Sequence, residues 1–135
     1  MNEIFKRILT TIFSELFASV FPRQLAQVRP AGTAAVNGWS PDFFGQFEVN
    51  LIHCANVSGA SITISLYHDI DGTTYDETTA LVFAHEIPAG GVFQLESSLV
   101  GYSTSENFGV QCSVANGVTF TLYGVLRGET FTAID

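Results

Sequence analysis

The sequence predicts a mainly β protein: an antiparallel β-sandwich of about eight strands, jelly-roll or immunoglobulin-like in order, behind an N-terminal amphipathic helix. Three observations predict it. The hydrophobic period changes from near four to two just after Phe21-Pro22. Short apolar-polar alternations then recur to the end of the chain with no helical pattern between them. The chain has 135 residues, 47% of them hydrophobic and 13% charged, which fits one folded domain and excludes a disordered one. Residues 1–22 are expected to form a docking helix and residues 23–135 the sandwich domain.

The helix is expected over residues 2–21. Apolar pairs recur at Ile4-Phe5, Ile8-Leu9, Ile12-Phe13, Leu16-Phe17 and Val20-Phe21, with polar or small pairs filling the gaps. At about 100° per residue, a four-residue repeat drifts by roughly 40° per step and still covers one broad face. Pro22 ends the helix, because its ring disfavours helical geometry in the preceding residue. A secretory signal would show an uninterrupted apolar core, and Glu15 with the Thr and Ser pairs interrupts this one. A membrane-surface helix would carry more Lys and Arg on its polar face. The reading that remains is a helix whose ten apolar side chains, Ile4 to Phe21, form an interface.

The strands follow in order. Residues 24–28 form a first strand closed by Arg29-Pro30, and residues 33–36 a second. Over 46–56, Phe47, Val49 and Leu51 alternate with Glu48 and Asn50. Over 61–68, Ile62, Ile64 and Leu66 take one face. Over 79–87, Leu81, Phe83 and Ile87 do so, with His85 in the same phase. Residues 92–96 follow the Gly90-Gly91 turn. The segment 108–114 places Phe108, Val110, Cys112 and Val114 together, and 118–126 places Val118, Phe120 and Leu122 together. The expected core is Phe47, Val49, Leu51, Ile62, Ile64, Leu66, Leu81, Phe83, Phe108, Val110, Val118, Phe120 and Leu122. Asn116-Gly117 accepts positive φ at both central positions, so it predicts a two-residue type I′ hairpin between the last two strands.

Charge narrows the partners. The net charge is -8, and residues 1–30 carry Lys6, Arg7, Arg23 and Arg29 against Glu3 and Glu15, a net of +2. The remaining residues therefore hold -10, with Arg127 as their one cation. Such a body cannot build the cationic face that nucleic acid needs. No apolar run reaches the 18 or so residues of a membrane span.

Candidate sites are few. Asp69, Asp71 and Asp76 surround Gly72 and could offer oxygens to Ca²⁺, but the spacing lacks the further ligands of a Ca²⁺ loop, and an Asp-Gly turn explains it. His53, His68 and His85 have no nucleophile motif beside them; His68 next to Asp69 is a possible pair. Trp39, Phe43 and Phe44 could form an aromatic platform for a ligand, or cap one end of the sandwich. Asn56-Val57-Ser58 matches a glycosylation acceptor and equally an Asn-initiated turn. Cys54 and Cys112 lie in strands with no CxxC or Cys/His cluster; free buried thiols are expected, with a bridge between paired strands as the alternative. No catalytic residue, metal site or cofactor is expected.

Several stretches carry a resemblance. These are Val28-Arg29-Pro30-Ala31-Gly32-Thr33, the strand end Cys54-Ala55-Asn56, and Leu66-Tyr67-His68-Asp69 with Asp71-Gly72-Thr73-Thr74-Tyr75-Asp76. Val118-Thr119-Phe120-Thr121-Leu122-Tyr123-Gly124 closes the pattern. Over about residues 25–126 the chain resembles the small β-sandwich virion structural proteins of tailed bacteriophages, especially those of aquatic hosts. The resemblance implies a non-enzymatic virion protein: a capsid cement or decoration protein, or a neck or tail accessory subunit. It would assemble as a homo-oligomer, a trimer for instance, and meet capsid, portal or tail proteins. The alternative is a carbohydrate- or host-receptor-binding module on the virion.

Overall fold

The computed structural model describes residues 2–9, 22–43 and 45–128. A helix, α1, covers residues 3–9. Eight strands follow: β1 (Arg23–Val28), β2 (Val36–Trp39), β3 (Gly45–Asn56), β4 (Ile62–Asp69), β5 (Ala80–Ile87), β6 (Val92–Gly101), β7 (Asn107–Cys112) and β8 (Val118–Gly128). They form two four-stranded antiparallel sheets, ordered β1-β8-β3-β6 and β2-β7-β4-β5. The first strand pairs with the last, the second with the seventh, the third with the sixth and the fourth with the fifth. That is one long antiparallel hairpin rolled up so that its rungs fall alternately in two sheets. The strand order is therefore a jelly roll.

The core lies between the sheets. Phe47, Val49, Ile52, Ile62, Ile64, Leu66, Phe108, Val110, Val118, Phe120 and Leu122 are all at most 2% exposed. Burying each such side chain contributes about 1.5–3 kcal/mol. Cys54 and Cys112 are free and buried in the same core. Burial pushes the Cys54 thiol up to about 12, so it stays protonated and packs as a small hydrophobe.

Four sequence expectations need correction, and two of them have one cause, a bulge. Asn50 is an extra residue of β3 against β8, since Val49 faces Gly124 and Leu51 faces Tyr123, while Ser97 and Ser98 of β6 oppose it on the other side. The bulge reverses the phase of β3, so Ile52 and Cys54 point inward and Leu51 is only half-buried. Asn50 Oδ1 and Ser97 Oγ are buried at this bulge without a partner among the described residues. A second bulge sets Phe83 and Ala84 of β5 against Ser65 of β4. Ala84 takes φ +52°, Val82 and Ile87 turn inward, Leu81 is half-buried, and Phe83 is 54% exposed. The second strand starts at Val36, later than expected, and it too is irregular, at Gly38. The fourth correction concerns Asn116-Gly117. β7 and β8 lie in different sheets, so this turn is an arch across the core and not a hairpin. The Gly117 N–H donates to the Val114 carbonyl at 3.1 Å, and only Asn116 of the pair is left-handed, at φ +56°. Val114 therefore lies on the arch, exposed.

Gly124 stands where β8 passes the β3 bulge. A Cβ there would collide with the Glu48 carbonyl oxygen, so close approach of the two backbones requires glycine.

Candidate interaction surfaces

Asn2 starts α1: its Oδ1 accepts the Phe5 N–H at 2.9 Å, and its carbonyl accepts the Lys6 N–H at 3.2 Å. Lys6 and Glu3 form an exposed ion pair at 3.7 Å, an arrangement that contributes little in water. The apolar side chains of α1 stay outside. Ile4 is 70% exposed, Phe5 51%, Ile8 45% and Leu9 46%. Spaced four apart, the two pairs fall on one side of the helix. The other expected interface residues, Ile12, Phe13, Leu16, Phe17, Val20 and Phe21, lie outside the described residues. Among the described residues no helix is long and apolar enough to cross a membrane.

Trp39 and Phe43 are half-buried and pack against the core. The indole meets Phe47 edge-on, with centroids 5.2 Å apart, and lies 5.9 Å from Phe108. These two residues close one end of the sandwich, which is the capping role rather than an open platform. Phe44 lies outside the described residues.

At the same end, carboxylates organise the loops. Asp69 Oδ1 accepts the Asp71 N–H at 3.2 Å, and Oδ2 accepts the Thr74 N–H at 2.7 Å. Those two bonds hold the Asp69 carboxyl below the usual carboxylate range. Asp76 Oδ1 accepts the hydroxyl of Thr78 at 2.6 Å and its N–H at 2.8 Å, which lowers its pKa as well. The stretch is a turn, with its carboxylates facing their own backbone. Among the described residues no group of three or more His, Cys, Asp or Glu could hold a metal ion.

The pairing at His68 escaped the sequence reading. His68 points into the core, stacked on Phe108 with ring centroids 4.2 Å apart, and its Nε2 lies 2.9 Å from Glu106 Oε1. The second Glu106 oxygen accepts the N–H groups of Tyr102 and Ser103, each at 3.1 Å. Gly101 leaves the room, because a Cβ there would meet this carboxylate. Among the described residues no hydroxyl or thiol joins His68 to make a nucleophile. The pair ties the β6–β7 connection to β4. Glu106 is 38 residues from His68, and no local signal marks it. The other histidines stand apart: His53 meets Gln94 at 2.8 Å on the outer face of its sheet, and His85 packs on Phe93. Asn56 is 5% exposed, with its amide inside the loops. The motif there is an Asn turn.

No protein-family model matches the sequence, and no curated protein matches it. Solved structures do share its fold. One chain of the viral particle of infectious bursal disease virus is similar with a TM-score of 0.51 and 14% identity, covering 83% of this chain and 32% of that one. A structure of the Gx strain of the same virus gives 0.49 and 12%, covering 83% and 34%. The nucleoplasmin-like N-terminal domain of Drosophila FKBP39 gives 0.40 and 14%, covering 82% and 91%. The chain spans about a third of the length of the viral chains it matches. The first of these likenesses shows a shared fold, and the other two fall below a TM-score of 0.5.

Proposed function

We propose that this chain is a non-enzymatic structural protein of a tailed-phage virion: a capsid cement or decoration protein, or an accessory subunit of the neck or tail. Residues 1–22 are its docking segment and residues 23–135 its body. The observation that carries the reading is the exposed apolar face of α1. The sandwich fills its core from its own strands, so Ile4, Phe5, Ile8 and Leu9 need a surface from elsewhere. The jelly-roll fold, shared with a chain of a viral particle, supports a place in a particle.

The sheet edges support docking through the helix. Each of the four edge strands, β1, β2, β5 and β6, carries a register irregularity. Bulged edges discourage strand-to-strand addition. Assembly then falls to α1 and the sheet faces, and sister copies in a homo-oligomer, a trimer for instance, or a capsid, portal or tail protein supply the acceptor.

Changing Ile4, Phe5, Ile8 and Leu9 together to Ser in the full chain tests this. The expected result is an unchanged melting temperature with loss of self-association in sedimentation and loss of incorporation into particles. Wild-type incorporation by this variant would refute the docking role. Counting copies per particle by mass spectrometry separates the locations: hundreds indicate the capsid, and a small multiple of the tail symmetry indicates neck or tail.

A further inference from the structure

The outer face of the β2-β7-β4-β5 sheet holds a hollow of about 220 Å³ lined by Thr63, Ser65, Phe83, Ala84, Gln111 and Ser113. The β5 bulge makes it. Ala84, in the sparsely populated left-handed region at φ +52°, turns Phe83 outward as an exposed wall. Ser65 Oγ accepts the Ala84 N–H at 2.9 Å, and Ser113 Oγ accepts the Thr63 N–H at 2.9 Å. Each hydroxyl oxygen is thus fixed by a backbone donor, and among the described residues neither hydroxyl proton has an acceptor. Gln111 is fixed as well: its Oε1 accepts the Tyr67 hydroxyl at 2.6 Å, and its Nε2 gives one proton to the Thr33 carbonyl at 3.1 Å. The second amide proton is left over.

We infer that this hollow binds a single neutral saccharide ring. One exposed aromatic face suits the apolar face of a pyranose, and the uncommitted hydroxyl and amide protons suit its hydroxyl oxygens. None of the six lining residues is charged, and residues 31–135 carry a net -10, so an anionic ligand finds no counter-charge here. The size points to one terminal ring, because pockets for larger ligands run from roughly 300 to 1,000 Å³. The site lies on the body of the protein and does not depend on what α1 docks against.

Titrating the full-length ¹⁵N-labelled chain with methyl glycosides of glucose, galactose, mannose and N-acetylglucosamine, and separately with sialic acid, tests the inference. The expected result is saturable amide shifts centred on Ser65, Ala84 and Ser113 for at least one neutral glycoside, with a Kd on the order of 1 mM. Phe83→Ala should weaken that binding by roughly tenfold or more with the remaining spectrum unchanged, since Phe83 holds up no core. Ser113→Ala should weaken it less. The inference is overturned if no neutral glycoside saturates these amides, if sialic acid alone does, or if Phe83→Ala binds like the parent. Concentration-dependent shifts of the same amides without sugar would overturn it too, by identifying a second copy as the occupant.

Discussion

The two ends of the sandwich are held by different chemistry. Where the β1–β2, β3–β4, β5–β6 and β7–β8 connections meet, the buried ties are neutral acceptors and amides, with charge at exposed contacts: the Ser61 hydroxyl donates to Glu86 Oε1 at 3.0 Å and Arg29 to the Asn116 carbonyl. Asn56 Nδ2 donates to the carbonyls of Ala60, Pro88 and Ile87 at 2.8, 2.9 and 3.0 Å, and its Oδ1 accepts the Ser58 N–H at 2.9 Å. The Val57 N–H reaches the Gly117 carbonyl at 2.9 Å, and the Asn116 N–H reaches that of Pro30 at 2.9 Å. At the opposite end Asp69, Glu106 and His68 hold the β4–β5 and β6–β7 connections, helped by Asn107, whose Nδ2 donates to Gly72 and Ser105 carbonyls. The buried ties of one end can therefore respond to pH and those of the other cannot. An acidic chain that folds without lysine in its body has placed its internal charge at one end, inside hydrogen-bonded loops.

Removing the central tie of the neutral end should have the largest effect. Asn56→Ala takes a donor from three carbonyls, of which Ala60 keeps the Ser58 hydroxyl and Pro88 keeps the Gly91 N–H, and leaves the buried Ile87 bond and the Ser58 N–H without their side-chain partner. At about 1–3 kcal/mol per buried group left unsatisfied, the loss should reach roughly 3 kcal/mol or more. Urea midpoints at about pH 5 and pH 8 should fall equally, because no titrating group is involved. A pH-dependent loss would show that the two ends communicate.

Glu106→Gln is the counterpart at the charged end. The amide keeps the shape of the carboxylate but turns an NH₂ group toward donors or gives up one acceptor. A charge-assisted hydrogen bond contributes about 1.5–3 kcal/mol, so a loss near 2 kcal/mol is expected by thermal melting near neutral pH. An unchanged melting temperature would mean that the loop 102–106 is held by its serines instead.

Legibility in the sequence followed the range of the physics. Strand positions and most inward faces were readable, because alternation is a local consequence of the pleat; Ile62, Ile64, Leu66, Phe108, Val110, Val118 and Phe120 are inward as expected. Bulges were not, since a single extra residue reverses the phase downstream. The β3 reversal did leave a trace: Phe47 and Val49 are in step with each other, whereas Ile52 and Cys54 are in step on the other parity. The same holds for β5, where Val82 and Ile87 both face inward on opposite parities. Sheet membership was out of reach, because Asn116-Gly117 suits a hairpin as well as an arch. The His68–Glu106 pair needed tertiary placement, and the sequence offered Asp69 as the nearer partner. Of the docking face, the amphipathic period was plain, and its first four apolar residues are exposed.

Acid should act most on the charged end, with a smaller effect than either substitution. The Asp71 and Thr74 N–H groups favour the ionised form of Asp69, so its native carboxyl gives up its proton at lower pH than the unfolded one. Its stabilisation is complete above the unfolded value of about 3.9 and is lost as pH falls through the lower native value. Asp76 has the same sign, through Thr78. Asp69→Asn should flatten the fall in urea midpoint below about pH 4 relative to the parent. An equally steep fall in that variant would move the acid sensitivity to other carboxylates.

The smallest effect belongs to Arg29, the one cation in the loops of the neutral end. Its Nε donates to the Asn116 carbonyl at 2.8 Å at an exposed position. Two physical roles compete. A hydrogen bond to a carbonyl is short-ranged and survives salt, whereas attraction of Arg29 to a body carrying -10 is screened within a Debye length. The 2.8 Å contact favours the first role, because its acceptor carries no formal charge. Arg29→Gln should therefore lower stability by about 0.5 kcal/mol, at the low end for a hydrogen bond because water competes for both groups. The difference from the parent should be the same at about 0.05 M and about 0.5 M NaCl. If salt abolishes the difference, Arg29 acts on the acidic body at a distance, and the neutral end owes part of its hold to the charge elsewhere in the sandwich.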